Sequence, residues 1–394
     1  MNNLTRIPAV APLELIYLTG GTDGRTGTNR AVGNRPQIAA TNDVEAIKAW
    51  LARFADTPTT LNSYRKEAER LLLWSVVELG KPMSSLTHED LLVYQRFLAS
   101  PQPAERWIMK SGHKYSRFDA GWRPFAGPLS PTSQRQAIVI LNTLFSWLVN
   151  AGYLAGNPLS LSRQRQRRAE PQVTRFLDEE VWHEVKATIE AMPQETDRDR
   201  EHYHRVRWLF SLLYICGLRI SEVIQNTMGG FFIRRDKVGE ERWWLEICGK
   251  GDKIRLVPAT RELMVELARY RRENGLTAFP VTGESTPLLL PIGGKIRPLT
   301  RSAVHLIVKE IFLRAALRIR QRKAGADRLT VLLEKASAHW LRHTAGSSMA
   351  AADMNLQHVR DNLGHESIST TSRYLHSEDD KRHQNTEEKH RLGW

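Results

Sequence analysis

The segment Lys335–His376 reads KASAHWLRHTAGSSMAAADMNLQHVRDNLGHESISTTSRYLH. Its Ala-rich beginning is typical of a helix, on which His339 and Arg342, three residues apart, would share one face. His365 comes 23 residues after Arg342, directly behind a Leu-Gly turn, and Tyr374 lies nine residues further on. The segment therefore combines a phosphate-binding cation, two proton-handling groups and a candidate nucleophile in one short stretch.

Two more cations with the same chemistry lie upstream. Arg219 follows a densely apolar, and hence buried, helical segment and the turn at Gly217. Lys250 lies in a Gly-Lys-Gly-Asp turn between two strand-like segments, which predicts the tip of a β-hairpin. Two guanidiniums can hold one phosphate and stay charged at any working pH, and a lysine with a lowered pKa can protonate a leaving oxygen. We assign the clamp to Arg219 and Arg342, and proton donation to Lys250.

Transfer at phosphorus also needs a nucleophile and a base. Tyrosine has a pKa near 10, so only about a thousandth of it is ionised at pH 7 and it needs a nearby proton acceptor. His339 is the candidate base, His365 a hydrogen-bond donor to the phosphate, and Glu222 an orienting group for Arg219 or a neighbour. The predicted catalytic residues are Arg219, Lys250, His339, Arg342, His365 and Tyr374, with Glu222 in support.

The composition narrows the class of protein. The chain has 394 residues, with 57 Lys and Arg against 43 Asp and Glu, and a formal charge of +14, which favours a polyanionic partner such as nucleic acid. Its length predicts at least two domains. The two cysteines, Cys216 and Cys248, lie in apolar surroundings, so we expect reduced, buried thiols and no zinc site. No long apolar run or secretion signal is found, so we expect a cytoplasmic, nucleoid-associated protein without a membrane partner.

Helical periodicity dominates both halves of the chain. Helices are predicted to start at Asn42 or Asp43, near Pro58, at Thr87 and near Thr132 or Ser133. Strand-like segments are predicted at 231–233, 243–247 and 254–257. The predicted fold is mainly α with a small antiparallel β-sheet. We expect a flexible arm at 1–40, a helical domain at 41–160 with an insertion at 100–131, a basic linker at 161–172, a catalytic domain at 173–377 and a charged tail at 378–394.

Clustered basic residues predict further contacts with a phosphate backbone. The linker has four arginines within six positions, and the insertion mixes basic and aromatic side chains. Two alternatives stay open: a solvated basic linker, and an ordered surface loop whose aromatic residues cover the helices. The predicted DNA-binding residues are Arg163, Arg165, Arg167, Arg168, Lys110, Lys114 and Arg117.

Four motifs occur together and in order: GLRISEV at 217–223, GKGDKIRLVP at 249–258, HWLRHT at 339–344 and LGHESISTTSRY at 363–374. In this combination the chain resembles the tyrosine recombinase (phage integrase) family, closely over 171–376 and only in architecture over 42–165. All six predicted catalytic residues match catalytic positions of that family. The N-terminal arm, the insertion and the connection at 286–297 are not features that the resemblance explains.

The resemblance implies a core-binding domain and a catalytic domain that form a C-shaped clamp on duplex DNA. It also implies inverted-repeat core sites, a homotetrameric synapse, a 3′-phosphotyrosine intermediate and a Holliday junction. No metal or cofactor is expected, since the covalent intermediate conserves the phosphodiester energy and the cations stabilise the charge. A type IB topoisomerase-like enzyme and a catalytically silent DNA-binding protein stay open. So do integration, excision or resolution of a mobile element, cleavage in cis or trans, and the need for a second recombinase or accessory protein.

Overall fold

The computed structural model describes residues 10–18, 20–33, 36–110, 112–113, 115–161, 175–249, 251–322 and 327–371. The chain divides into two compact units, Met1–Arg167 and Arg168–Trp394. The division falls inside the predicted basic linker, whose residues from 162 onward lie outside the described residues. Within the described ranges, no helix combines the length and apolar character needed to cross a membrane.

The first unit is helical. Its core is built from the apolar faces of amphipathic helices, with Trp50, Trp74 and Trp107 almost fully buried. A 3₁₀ turn precedes the third helix. The helices are α1 (Asp43–Ala52), α2 (Pro58–Val77), α3 (His88–Ala99), α4 (Ala104–Trp107) and α5 (Pro131–Asn150).

Local sequence signals explain where these helices begin. The Asn42 side chain accepts a hydrogen bond from the Glu45 amide at the start of α1, and Thr87 and Asp90 form a reciprocal capping box at α3. Helix α2 starts with a proline, which needs no amide partner in the first turn. The predicted starts of these three helices are confirmed; α5 begins at Pro131, capped by Ser130, slightly earlier than predicted.

The described part of the N-terminal segment is packed against the helices, contrary to the flexible arm expected at 1–40. Leu13 is 3% exposed, and its amide donates to the Glu69 carboxylate of α2. The Asn29 side chain exchanges two hydrogen bonds with the Gly156 backbone at 2.8 and 3.1 Å. The Gly-rich composition suggested mobility, but two of the glycines, Gly24 and Gly27, allow close approach: a Cβ at Gly24 would lie 2.2 Å from the Asp43 carboxylate.

Aromatic residues anchor the described part of the insertion at 100–131. Trp107 and Phe125 are fully buried and pack edge-on against Phe97 of α3. The Trp107 indole N–H donates to Glu78 at 2.8 Å, so the polar end of the ring is satisfied. These contacts are the ones expected of a loop whose aromatic residues cover the helices.

The second unit packs helices around α7, which contacts α6, α9 and α12. Residues Trp208, Leu209, Leu212 and Leu213 of α7 are fully buried. The helices are α6 (Glu179–Glu190), α7 (Asp197–Tyr214), α8 (Ile220–Gln225), α9 (Arg261–Glu273), α10 (Arg301–Arg322), α11 (Asp327–Lys335), α12 (Ala338–Ala351), α13 (Leu356–Leu363) and α14 (Ile368–Thr371).

A three-stranded antiparallel sheet stands between α8 and α9. Its strands are β1 (Phe231–Arg235), β2 (Glu241–Cys248) and β3 (Ile254–Pro258), in the order β1-β2-β3. The β2–β3 register runs from Trp244 opposite Pro258 to Cys248 opposite Ile254, so the hairpin tip falls on the Gly-Lys-Gly-Asp turn. The predicted fold class, mainly α with a small antiparallel sheet, is confirmed.

Candidate active site

The buried carboxylate of Glu222 lies at the centre of the candidate site, where it contacts several arginines. Glu222 lies in α8 and is 1% exposed. One of its oxygens accepts from the Arg219 guanidinium at 2.7 Å and the other from the Arg219 amide at 2.8 Å, so Arg219 is also the N-cap of α8. The Arg342 guanidinium lies 4.0 Å from the same carboxylate. The predicted orienting role of Glu222 is consistent with this geometry.

A third arginine, Arg255 of β3, also binds the Glu222 carboxylate; it was not among the predicted site residues. Its two terminal nitrogens donate to the two Glu222 oxygens at 2.8 and 2.9 Å, and its Nε donates to the Asn362 carbonyl at 3.1 Å. A signal was present, because the strand period places Arg255 on the same face as the buried Val257. An inward-facing arginine needs a carboxylate partner.

The charges of this cluster fix the ionisation of its members. Burial opposes the charged form of Glu222, but the hydrogen bonds and charge of Arg255, with the Arg219 amide and the Arg342 charge, lower its pKa to about 2. The carboxylate is therefore ionised at neutral pH. It neutralises part of the positive charge that three arginines concentrate in one place.

Arg342 is held by backbone carbonyls. It lies on α12, is 1% exposed, and donates to the carbonyls of Gly217 and Leu363. The Gly217 turn makes this possible: its φ is +58°, and a Cβ there would lie 2.5 Å from the Leu363 side chain. Arg342 is thus positioned from two sides, by the turn that leads to Arg219 and by the end of α13.

His365 follows the glycine that ends α13. Gly364 has a φ of +60°, and a Cβ there would lie 2.8 Å from the Arg255 side chain, so this turn requires glycine. The His365 Nδ1 lies 2.9 Å from the Thr371 hydroxyl. Burial, followed by the charges of Arg342 and Arg219, lowers the His365 pKa to about 4. The ring is therefore neutral at pH 7 and can donate through one nitrogen only.

His339 lies in the first turn of α12, three residues before the buried Arg342, and keeps part of its surface exposed. Burial, followed by the charges of Arg342 and Arg219, lowers the pKa of His339. A neutral imidazole has a lone pair with which to accept a proton, as the predicted base requires. His343, which sequence reasoning did not select, packs edge-on against His339 with ring centres 4.3 Å apart.

The structure therefore brings together Arg219, Glu222, His339, Arg342 and His365, which the sequence separates by as much as 146 positions. Lys250 and Tyr374 lie outside the described residues, as do Lys114, Arg163, Arg165, Arg167 and Arg168. The ends of the hairpin turn are described: the Gly249 amide donates to the Lys253 carbonyl at 2.9 Å.

Arg117, predicted to bind DNA, has an internal role instead. Its guanidinium donates to both oxygens of Glu69, at 2.6 and 3.0 Å, and to Glu14 at 2.8 Å. Glu69 is 2% exposed, so Arg117 neutralises a buried carboxylate, and we propose that this is its main role. Lys110 is exposed. We therefore withdraw Arg117 from the predicted DNA contacts and retain Lys110 as a proposal.

No group of three or more histidine, cysteine, aspartate or glutamate side chains that could hold a metal ion is found within the described residues. Of the two cysteines, Cys216 is buried, as predicted, whereas Cys248 is exposed, contrary to the prediction. Among the described residues, the charged groups of the Glu222 cluster are three guanidiniums and one carboxylate. This donor set is suited to binding an anion.

Several known recombinases are similar to this chain in sequence or in fold. XerD, a tyrosine recombinase from Rickettsia conorii, is 22% identical over 290 residues, which cover 73% of this chain and 85% of XerD. The fold is similar to the XerH site-specific recombinase bound to its difH substrate, with a TM-score of 0.57 and 17% identity over 87% of this chain and 84% of XerH. It is also similar to the Tn1549 transposon integrase in complex with transposon right end DNA, with a TM-score of 0.55 and 17% identity over 87% of this chain and 98% of that one.

The phage integrase family model matches residues 181–381. This range covers slightly more than half of the chain and contains the Glu222-centred cluster, the hairpin and both histidines. The motif resemblance, the mainly α fold with its small sheet and this match agree, and the chain belongs to the phage integrase, or tyrosine recombinase, family.

Proposed function

We propose that this protein is a site-specific DNA recombinase that cleaves and rejoins duplex DNA through a covalent bond to Tyr374. The observation that carries the proposal is the buried cluster in which Glu222 holds Arg219 beside Arg342, with two neutral histidines facing the same arginines. This arrangement suits a dianionic phosphorane-like transition state, because its positive charge is in place before the reaction begins.

In the proposed step the Tyr374 hydroxyl oxygen attacks phosphorus and its proton passes to His339. The bond between phosphorus and the 5′ oxygen breaks, and Lys250 gives that oxygen a proton. The product is a 3′-phosphotyrosine and a free 5′ hydroxyl, and the reverse step with another strand restores a phosphodiester. His365 donates a hydrogen bond to a non-bridging oxygen, as do Arg219 and Arg342. The covalent bond conserves the phosphodiester energy, so the proposed reaction needs no ATP.

The wider context belongs to the same proposal. Residues 41–160 would bind the DNA core site and residues 173–377 would perform the chemistry, with Lys110 and the arginines at 163–168 contacting phosphates. We propose inverted-repeat sites and a homotetramer that passes through a Holliday junction, acting on a mobile element in the cytoplasm at the nucleoid. The similarity to XerH bound to difH and to a transposon integrase bound to a transposon end supports this direction.

The test starts from the DNA site. Repeated binding selection from a randomised duplex pool would recover the preferred sequence, which is then rebuilt as a duplex nicked near the cleavage position. The wild-type protein should form a covalent adduct on this duplex that resists denaturing gel electrophoresis. Tyr374→Phe should form none, because the nucleophilic oxygen is gone, and should bind the site within about fivefold of wild type, since loss of one hydroxyl costs about 1 kcal/mol of binding free energy.

The matched control is Tyr214→Phe, which also removes one tyrosine hydroxyl from the second unit. That hydroxyl lies 3.0 Å from the Ser348 hydroxyl, and the variant should cleave DNA at the wild-type rate. Absence of an adduct with the wild-type protein on its selected site would refute the catalytic proposal and leave a DNA-binding protein. Relaxation of a supercoiled plasmid that lacks the site would instead indicate a topoisomerase.

A further inference from the structure

Asn226, the residue at which α8 ends, holds the strand that leads into the Lys250 turn. Its side-chain amide oxygen accepts from the Cys248 N–H at 2.8 Å, and its side-chain N–H donates to the Cys248 carbonyl at 3.0 Å. The same nitrogen also donates to the Glu222 carbonyl at 2.9 Å. One side chain thus joins the end of a helix to both backbone polar groups of a strand residue.

The strand geometry explains why Cys248 needs this partner. Gly249 and Lys253 form a hydrogen-bonded pair across the hairpin, so the adjacent pair, Cys248 opposite Ile254, is the non-bonded kind. The N–H and carbonyl of Cys248 therefore point away from β3. On that other side β1 pairs with β2 only as far as Leu245. The Asn226 amide takes the place of a neighbouring strand at the last rung before the turn.

Helix α8 and its C-cap residue therefore bind both strands of the hairpin. Glu222 holds Arg255 on β3, and Asn226 holds Cys248 on β2. The N-cap of the same helix is Arg219, the predicted phosphate clamp. The backbone carbonyl of Asn226 also accepts from the Leu288 amide at 3.1 Å, which ties this end of α8 to the adjacent connection. A six-residue helix therefore spans from the clamp arginine to the base of the turn that contains Lys250.

We propose that Asn226 is a positioning residue that holds the base of the hairpin turn, so that Lys250 meets the leaving 5′ oxygen while Arg219 holds the phosphate. This inference rests on the proposed function, in which Lys250 gives its proton to the 5′ oxygen as the phosphorus–oxygen bond breaks. Asn226 does not touch the reacting atoms. It removes the freedom of the strand end two residues before Lys250, and misplacement of a catalytic group by about 1 Å can slow a reaction about 100-fold.

A change of leaving group separates positioning of the acid from general damage. When sulfur replaces the bridging 5′ oxygen of the nicked duplex, the phosphorus–sulfur bond breaks and a thiolate leaves. A thiol has a pKa near 8.5, so its anion leaves without a proton donor. Asn226→Ala should slow single-turnover cleavage of the oxygen duplex about 10- to 100-fold, and should cleave the sulfur duplex within about threefold of wild type. Lys250→Ala should show the same pattern with a larger loss.

The matched control is Asn274→Ala. Asn274 ends α9 and makes the same kind of capping bond, from its side-chain N–H to the Tyr270 carbonyl at 2.8 Å, but within the described residues none of its hydrogen bonds reaches the hairpin. It should cleave both duplexes at the wild-type rate. Asn226→Asp, which keeps the acceptor for the Cys248 N–H and loses the donor, should repeat the Asn226→Ala pattern and provides a second variant should alanine prevent folding.

Equal losses on both duplexes, or no loss on either, would overturn the role of Asn226. If Lys250→Ala itself is not rescued by sulfur, the Lys250 assignment fails, and Asn226 then has no acid to position. Absence of a wild-type adduct on either duplex would overturn the recombinase proposal instead. The three failures are distinguishable in one set of rate measurements.

Discussion

Replacement of Glu222 by glutamine should destabilise the catalytic unit strongly. The carboxylate is 1% exposed and accepts from Arg219 and from two nitrogens of Arg255. An amide keeps the size but turns an N–H toward a guanidinium and leaves the arginines without their counter-charge. Removing one partner of a buried ion pair costs about 3–5 kcal/mol, because the remaining charge stays buried without compensation.

The pKa of Glu222 gives an independent magnitude. It falls from the usual value of 4.5 to about 2 on folding. At about 1.4 kcal/mol for each pH unit between the two values, the ionised carboxylate stabilises the folded state by about 3 kcal/mol. Because the folded pKa is the lower one, this contribution is complete above about pH 4.5 and is lost as the pH falls towards 2. The free-energy gap between wild type and Glu222→Gln should shrink to about 1.4 kcal/mol at pH 3.

Urea unfolding at pH values from 3 to 7 measures this gap. The two units of the chain can unfold separately, so hydrogen exchange of peptides from α7 and β2 should follow the catalytic unit by itself. Glu246→Gln, on an exposed position of β2, is the matched control and should change the free energy of unfolding by less than about 0.5 kcal/mol. A Glu222→Gln gap below about 1 kcal/mol at pH 7, or a gap that does not change with pH, would refute the electrostatic account.

The other predictions concern a histidine and an arginine. Burial and two arginines lower the His365 pKa to about 4, so the folded chain binds fewer protons than the unfolded chain between about pH 6.5 and 4. The stability that the neutral ring contributes is complete above pH 6.5 and is lost towards pH 4, so His365→Gln should lose less thermal stability than wild type over that interval; equal losses would contradict the assignment. Arg117→Ala should lower the thermal stability of the helical unit, because Glu69 is left buried and unpaired, while the slope of log Kd against log salt for DNA binding stays unchanged. Lys110→Ala should reduce that slope by about one, and a reduction by Arg117→Ala would restore it as a phosphate contact.

The residues of the catalytic motifs could be recognised from the sequence because each signal is local. Helix geometry alone places His339 and Arg342, three residues apart, on one face. Hairpin geometry alone identifies the Gly-Lys-Gly-Asp turn. The capping box of Thr87 and Asp90 likewise lies within one turn. The order of these motifs along the chain, together with its basic composition, then indicated that they serve one reaction, transfer at phosphorus.

Composition was a poor guide to the N-terminal segment and to Arg117. The glycines of residues 20–33 were interpreted as mobility, whereas Gly24 is a glycine because Asp43 lies against it. Arg117 was interpreted as a DNA contact because basic and aromatic residues alternate around it, but its partners are Glu69, 48 positions away, and Glu14, 103 positions away. Nothing within a few residues of Arg117 identifies those carboxylates.

The sequence by itself determined the starts of α1, α2 and α3, the hairpin and the fold class, and it supplied the candidate reactive groups, since these depend on contacts within one turn or one pair of strands. Only the tertiary structure decided which charges meet. Glu222 pairs with Arg255 across 33 positions, and Asn226 bonds Cys248 across 22. The physical reason is that a buried polar group takes whatever partner packing brings within about 3 Å, and that packing is set by the whole core. The motif at 335–376 therefore predicts the kind of chemistry, while α8 and the hairpin determine which charged groups surround its arginine.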